Sequence, residues 1–230
     1  MVGRGVDRIG LFTLLEKGMV GIIGRMGKAA IYSLDALLRR WYHVREFTSK
    51  DDCLLRIALG RSERNMTLSD GTGILRGERI GELHLWNEHI PPMPEEGPDL
   101  RWGLTFYRRW MQSLEELAAY VENEPTFKDI RAFRGEIAFV LDGGSERYAK
   151  LLRQWGFDFI RAGPSKGRLR RFGEFWENVY SWGLMWAFNP GSLRRKRLLR
   201  LERCQLWISR QVLLQKYGRD SGASGLKRLA

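Results

Sequence analysis

Two hydrophobic periods share this chain. From Leu11 to about Val44 apolar residues recur at three-and-four spacing, through Ala29-Ala30-Ile31, Leu34, Leu37-Leu38 and Trp41-Tyr42. That spacing predicts a helix with a basic, aromatic end at Arg39-Arg40. Asp52 to Leu59 alternates instead and predicts a strand. Asp70-Gly71 and Arg76-Gly77-Glu78 are turn signals, and Glu78 to Trp86 reads as a second strand completing a small antiparallel meander. On that strand Glu82, His84 and Trp86 share one face, and Leu83 and Leu85 the other. Pro91 to Pro98 breaks regular structure. Asp99 then caps a helix to about Glu122, with Leu104, Tyr107, Met111, Leu114, Leu117-Ala118 and Val121 as its apolar stripe.

The second half predicts a strand over 133–141, a helix over 146–155 ended by Gly156, and a strand over 157–160. After Gly163 to Gly167 an aromatic helix runs over 172–188. Asn189-Pro190-Gly191 stops it, and Ser192 is expected to cap a last helix to Tyr217, with Gly218 beyond. On that helix Lys196, Arg200, Arg203, Trp207 and Arg210 form one stripe, and Leu198, Leu201, Cys204, Ile208 and Val212 another. The sum is an α+β fold: a small antiparallel sheet, a long central helix, a strand-helix-strand unit and a C-terminal helical pair.

Composition changes this picture in one respect. Residues 1–160 hold 23 basic and 23 acidic side chains, whereas 161–230 hold 16 and 4. The net charge of +12 is therefore confined to the C-terminal part, and it implies an anionic partner, a membrane surface ahead of nucleic acid. The basic stripe Lys196, Arg200, Arg203, Trp207 and Arg210 is the expected contact. No run of apolar residues is long enough for a spanning helix, and no signal-peptide pattern is evident. Cys53 and Cys204 lack ligand-like neighbours and are read as free thiols of a reducing compartment. The expectation is a cytoplasmic protein, membrane-associated at most, without cofactor or metal.

The densest polar chemistry lies at residues 69–89. Asp70, Thr72, Glu82, His84, Trp86 and Asn87 are the ligand-binding candidates, and Glu82 and His84 the candidates for catalysis. Each has a plain structural alternative. Asp70 and Thr72 form turns, tryptophans fill cores, and a strand histidine is usually a satisfied hydrogen bonder. A carboxylate on a sheet face needs a partner if buried, and Arg101, Arg108 or Arg134 can supply one for Glu82.

Several segments carry a resemblance: Leu68-Ser-Asp-Gly-Thr-Gly-Ile, Gly77-Glu-Arg-Ile-Gly-Glu-Leu-His-Leu-Trp-Asn, Leu114-Glu-Glu-Leu-Ala-Ala-Tyr-Val, Arg134-Gly-Glu-Ile, Leu152-Arg-Gln-Trp-Gly-Phe and Leu206 to Gly218. In order and spacing the chain resembles the YkoP-like family, largely uncharacterised bacterial domains sometimes fused behind polysaccharide deacetylases. The resemblance carries over Asp70, Gly71, Thr72, Gly77, Glu82, His84 and Asn87. It places the domain at 50–218, after an N-terminal helical segment at 1–49 and before a flexible tail at 219–230. By association it points to envelope polysaccharide metabolism, and with the Glu82, His84 and Trp86 face the expectation is a non-catalytic binding or accessory module taking a glycan or envelope precursor. The alternatives are a hydrolase- or acyltransferase-like enzyme using Glu82 and His84, with Glu82, His84 and His89 as a conceivable metal set, and nucleic-acid binding through the basic stripe. The deacetylase metal motif itself is absent, since Asp51-Asp52 has no following paired histidines.

Overall fold

Turn chemistry sets where the strands begin. Gly71 and Gly77 take positive φ, 87° and 83°, at the two sites read as turns. The computed structural model describes residues 8–139, 145–161, 168–193 and 202–218. Helix α1 (Arg8–Trp41) leads into strand β1 (Leu55–Arg61). A small ribbon, β2 (Met66–Thr67) and β3 (Gly73–Ile74), precedes β4 (Arg79–Leu85). The long helix α2 (Leu100–Asn123) starts where expected, with the Asp99 carboxylate accepting from the Trp102 amide. It is followed by β5 (Ala132–Phe139), α3 (Ser145–Gln154), β6 (Asp158–Arg161), α4 (Arg168–Phe188), β7 (Glu202–Ser209) and α5 (Arg210–Tyr217).

The fold is α+β. Among the described residues its main sheet has five strands in the order β1-β4-β5-β7-β6, antiparallel except for the β4–β5 pair. The expected three-stranded meander is different in detail: β2 and β3 pair only with each other, and β1 pairs directly with β4. The strand-helix-strand unit β5-α3-β6 exists, but β7 lies between its two strands.

Strand β7 is the largest departure from expectation. Residues 202–209, where the spacing predicts a helix, are a strand next to the middle of the sheet. Among the described residues of that stretch α5 is helical, and its cap is Ser209, whose hydroxyl accepts from the Val212 amide. The Ser192 hydroxyl donates to the Asn189 carbonyl in a short 3₁₀ turn, and residues 194–201, the start of the expected last helix, lie outside the described residues. Among the described residues the C-terminal helices are α4 and a two-turn α5, with strand β7 directly before α5.

One sheet face carries the main core. Leu55, Ile57, Leu83, Phe133, Leu206 and Ile208 pack against Leu114, Leu117, Ala118 and Val121 of α2. Each fully buried side chain of this size contributes about 1.5–3 kcal/mol, so this layer dominates stability. Trp110 and Ser113 also turn inward, and the Ser113 hydroxyl accepts from the Leu54 amide. Leu104 and Tyr107, expected in the stripe, remain exposed. Both cysteines are buried, and neither is in a disulfide among the described residues.

Candidate functional site

Strand alternation sends the polar residues of β1, β4, β5 and β7 to the face opposite α2. Cross-strand register aligns them in two rows. Ala58, Glu82, Arg134, Trp207 and Asp158 form the first. In the second, Arg56 pairs with His84, and Glu136 with Gln205. The sequence placed Glu82 and His84 on one face, and the structure keeps them there, away from α2.

Glu82 finds its partner in Arg134, at 2.6 Å. Both are largely shielded, so the pair is charge-assisted in a medium less screening than water. Gly60 makes room for it: a Cβ there would collide with the Glu82 carboxylate. Arg134 also reaches Glu63 at 3.6 Å and lies 5.8 Å from the centre of the Trp207 ring. Beside it Gln205 accepts from Arg64 and donates to Glu136.

His84 lies amid these charges. Its Nε2 is buried and has no hydrogen-bond partner. Burial, aided by Arg134 and Arg56, pushes its pKa below the ordinary 6.5, against the opposing pull of Glu82 and Glu136. The neutral ring is thus favoured in the folded protein. As pH falls through and below 6.5, the unfolded chain takes up a proton that the folded one resists, and stability drops. The limiting slope is about 1.4 kcal/mol per pH unit. Urea unfolding at pH 7.5 and at pH 5.5, in wild type and His84→Gln, checks this: the wild type loses more stability, and an equal loss in both removes His84 as the cause.

Trp86 is not a free platform. Arg56 lies 4.4 Å from its ring centre, and His89 stacks on it at 3.8 Å. The indole is 8% exposed, so stacking of a ligand on it, as the sequence suggested, has no open surface. His89 is also committed, with Nδ1 2.9 Å from the Cys53 carbonyl. Glu82, His84 and His89 do not converge, and among the described residues no three metal-ligating side chains do. Asn87 opens a 3₁₀ turn after β4. Asp70 is a turn former, as its structural alternative held: it accepts from the Thr72 amide and hydroxyl. Burial raises its pKa, but hydrogen bonds from Ser209 and Thr72 outweigh that and hold the carboxyl below its ordinary value.

The basic stripe dissolves. Lys196 and Arg200 lie outside the described residues. Arg203 belongs to strand β7, and Trp207 is buried in the sheet. Arg210 is spent on structure, donating to the Phe127 and Val121 carbonyls at 2.8 and 2.9 Å. On a strand, Arg203 and Trp207 do not share a helical face.

A second group escaped sequence reasoning. Arg56 pairs with Glu46 and Glu88 at 3.1 and 3.3 Å. Glu88 reaches Arg39 at 3.4 Å, and Arg39 holds Asp35 at 2.9 Å. Asp35 is buried and accepts from the Tyr180 hydroxyl at 2.6 Å; burial and that carboxylate push the phenol's pKa upward. Tyr32, Asp35, Arg39, Glu88 and Phe188 line a cavity of about 300 Å³. The charged face of the sheet thus continues from His84 through Arg56 to this cavity. The only available signal was Asp35 and Arg39, one turn apart on a helix.

Fold and site together define a small α+β domain with an apolar, helix-covered sheet face and a charge-lined opposite face. The chain belongs to the YkoP domain family, whose model matches residues 28–217. The match begins inside α1 and reaches the end of α5. No curated protein and no solved structure matches the chain.

Proposed function

We propose that the protein is a non-catalytic binding module that takes a polar, glycan-like ligand on its charged sheet face, in the service of envelope polysaccharide metabolism. The observation that supports this most is the buried, unpartnered Nε2 of His84 beside the Glu82–Arg134 pair and Arg56. Leaving such an atom unsatisfied costs about 1–3 kcal/mol, which a ligand hydrogen bond would offset if the side chains covering the ring turn aside to admit it. A sugar hydroxyl both donates and accepts, so it suits either tautomer of the ring. Glu82 is already held by an arginine, which favours fixed recognition over proton transfer. The polysaccharide link comes from the deacetylase domains to which similar domains are fused, an association rather than chemistry of this site.

The test is a titration with soluble N-acetylglucosamine oligomers and their deacetylated forms, followed by NMR through the backbone amides of the charged sheet face, which report in wild type and variant alike. A saturable shift is expected, lost in His84→Ala while the rest of the spectrum stays folded. No saturable shift at millimolar sugar, or undiminished binding by the variant, refutes the reading.

A further inference from the structure

Over residues 24–41 helix α1 carries an apolar stripe that no described residue covers. Met26, Ala30, Leu34, Leu37 and Trp41 are all exposed, Leu37 at 61% and Trp41 at 76%. At 100° per residue they fall within about 80° of arc, a continuous stripe about 22 Å long. The packed side of the helix lies beyond one edge of this stripe, about 100° around the helix from its centre. There Gly27 meets Trp186, Ile31 meets Gly183 and Asp35 meets Tyr180, so α1 and α4 run antiparallel. The stripe is therefore left over after the helix has found its place on the domain. In the sequence Phe12, Met19 and Ile23 continue its spacing upstream.

Charge decides what covers it. Over residues 24–42 the basic side chains are Arg25, Lys28, Arg39 and Arg40, and the only acid is Asp35. Asp35 is buried and neutralised by Arg39. The exposed charges bordering the stripe, Arg25 and Arg40, are thus both positive. A second copy of the chain would bring like charges together across the seam with no acid to pair them, which disfavours self-association. An anionic lipid surface complements both the charge and the apolar stripe. Trp41 and the neighbouring Tyr42, both exposed, have the amphipathic rings that settle at the headgroup level. Among the described residues no helix is long and apolar enough to cross a membrane, so the contact is one that lies on the surface.

We infer that α1 lays its Met26–Trp41 stripe on an anionic membrane surface. This does not rest on the sugar-binding reading, and it moves the membrane contact from the C-terminal basic stripe to the first helix.

Co-sedimentation of the full chain with phosphatidylcholine vesicles, and with vesicles carrying about 30% phosphatidylglycerol, tests it. Binding is expected to the anionic vesicles and to weaken with salt. Leu37→Glu and Trp41→Glu should each lower the partition about tenfold. The double variant Arg25→Glu/Arg40→Glu should do the same. The thermal midpoint of each variant shows that it remains folded. Three results overturn the inference: no binding of wild type to anionic vesicles, equal binding by the variants, or a wild-type dimer in solution that Leu37→Glu converts to monomer.

Discussion

Replacing Trp207 with alanine is expected to destabilise the protein by about 3–5 kcal/mol, seen as a large fall in the urea midpoint at unchanged slope. The indole is 1% exposed and sits on β7 beneath the β2–β3 ribbon, packed with Leu68, Ile74, Ile80 and Ala132. Its ring nitrogen donates to Gln205, and Arg134 lies over its face. Truncation would open a large cavity and release the ribbon from the sheet. Had residues 192–217 formed a basic helix with Trp207 on its outer face, the same change would cost no more than about 0.5 kcal/mol. One measurement therefore separates strand from surface helix. Trp207→Phe should recover much of the loss, since the ring fills most of the space but cannot donate to Gln205.

The misreading of β7 has a specific physical origin. Cys204 and Ile208 are four apart, and a spacing of four is consistent both with a helix turn and with two strand repeats. Leu198, Leu201 and Val212 completed a helical pattern around them. What identifies the strand is Leu206 between Cys204 and Ile208, all three buried. Gln205 and Trp207 are buried as well, because the β2–β3 ribbon and neighbouring side chains cover the second face. A strand covered on both sides loses the alternation that marks half-buried ones.

Elsewhere local chemistry was enough. Asp99 ahead of an apolar stripe located α2, and glycines at positive φ located the turns before β4. The same alternation placed Glu82 and His84 together. It could not show that Arg56 and His89 occupy both faces of Trp86, nor that Arg134, rather than Arg101 or Arg108, is the partner of Glu82. Those facts depend on which strands become neighbours. The parallel pairing of β4 with β5 across the whole of α2 is a nonlocal choice, and it brings Arg134 beside Glu82. The cavity was equally hidden, because it needs α1, α4 and the turn after β4 in one place.

Removing Arg134 and Glu82 separately and together is expected to show that they act as a unit. Arg134→Met leaves the largely shielded Glu82 carboxylate without its 2.6 Å partner and should cost about 2–3 kcal/mol, less than a fully buried pair because some water reaches both groups. Glu82→Gln keeps the shape and a hydrogen-bond acceptor, and should cost about 1 kcal/mol. The double variant should then be more stable than the sum by about 1–2 kcal/mol, since neither charge is stranded. Strict additivity would mean that the pair does not organise the charged face. The same variants report on His84, one of three histidines in the chain. Arg134 depresses its pKa and Glu82 raises it, so Arg134→Met should move the His84 titration upward and Glu82→Gln downward. Opposite shifts, read by NMR on the same ring, tie the electrostatics of the face to the atom on which ligand recognition is proposed to turn.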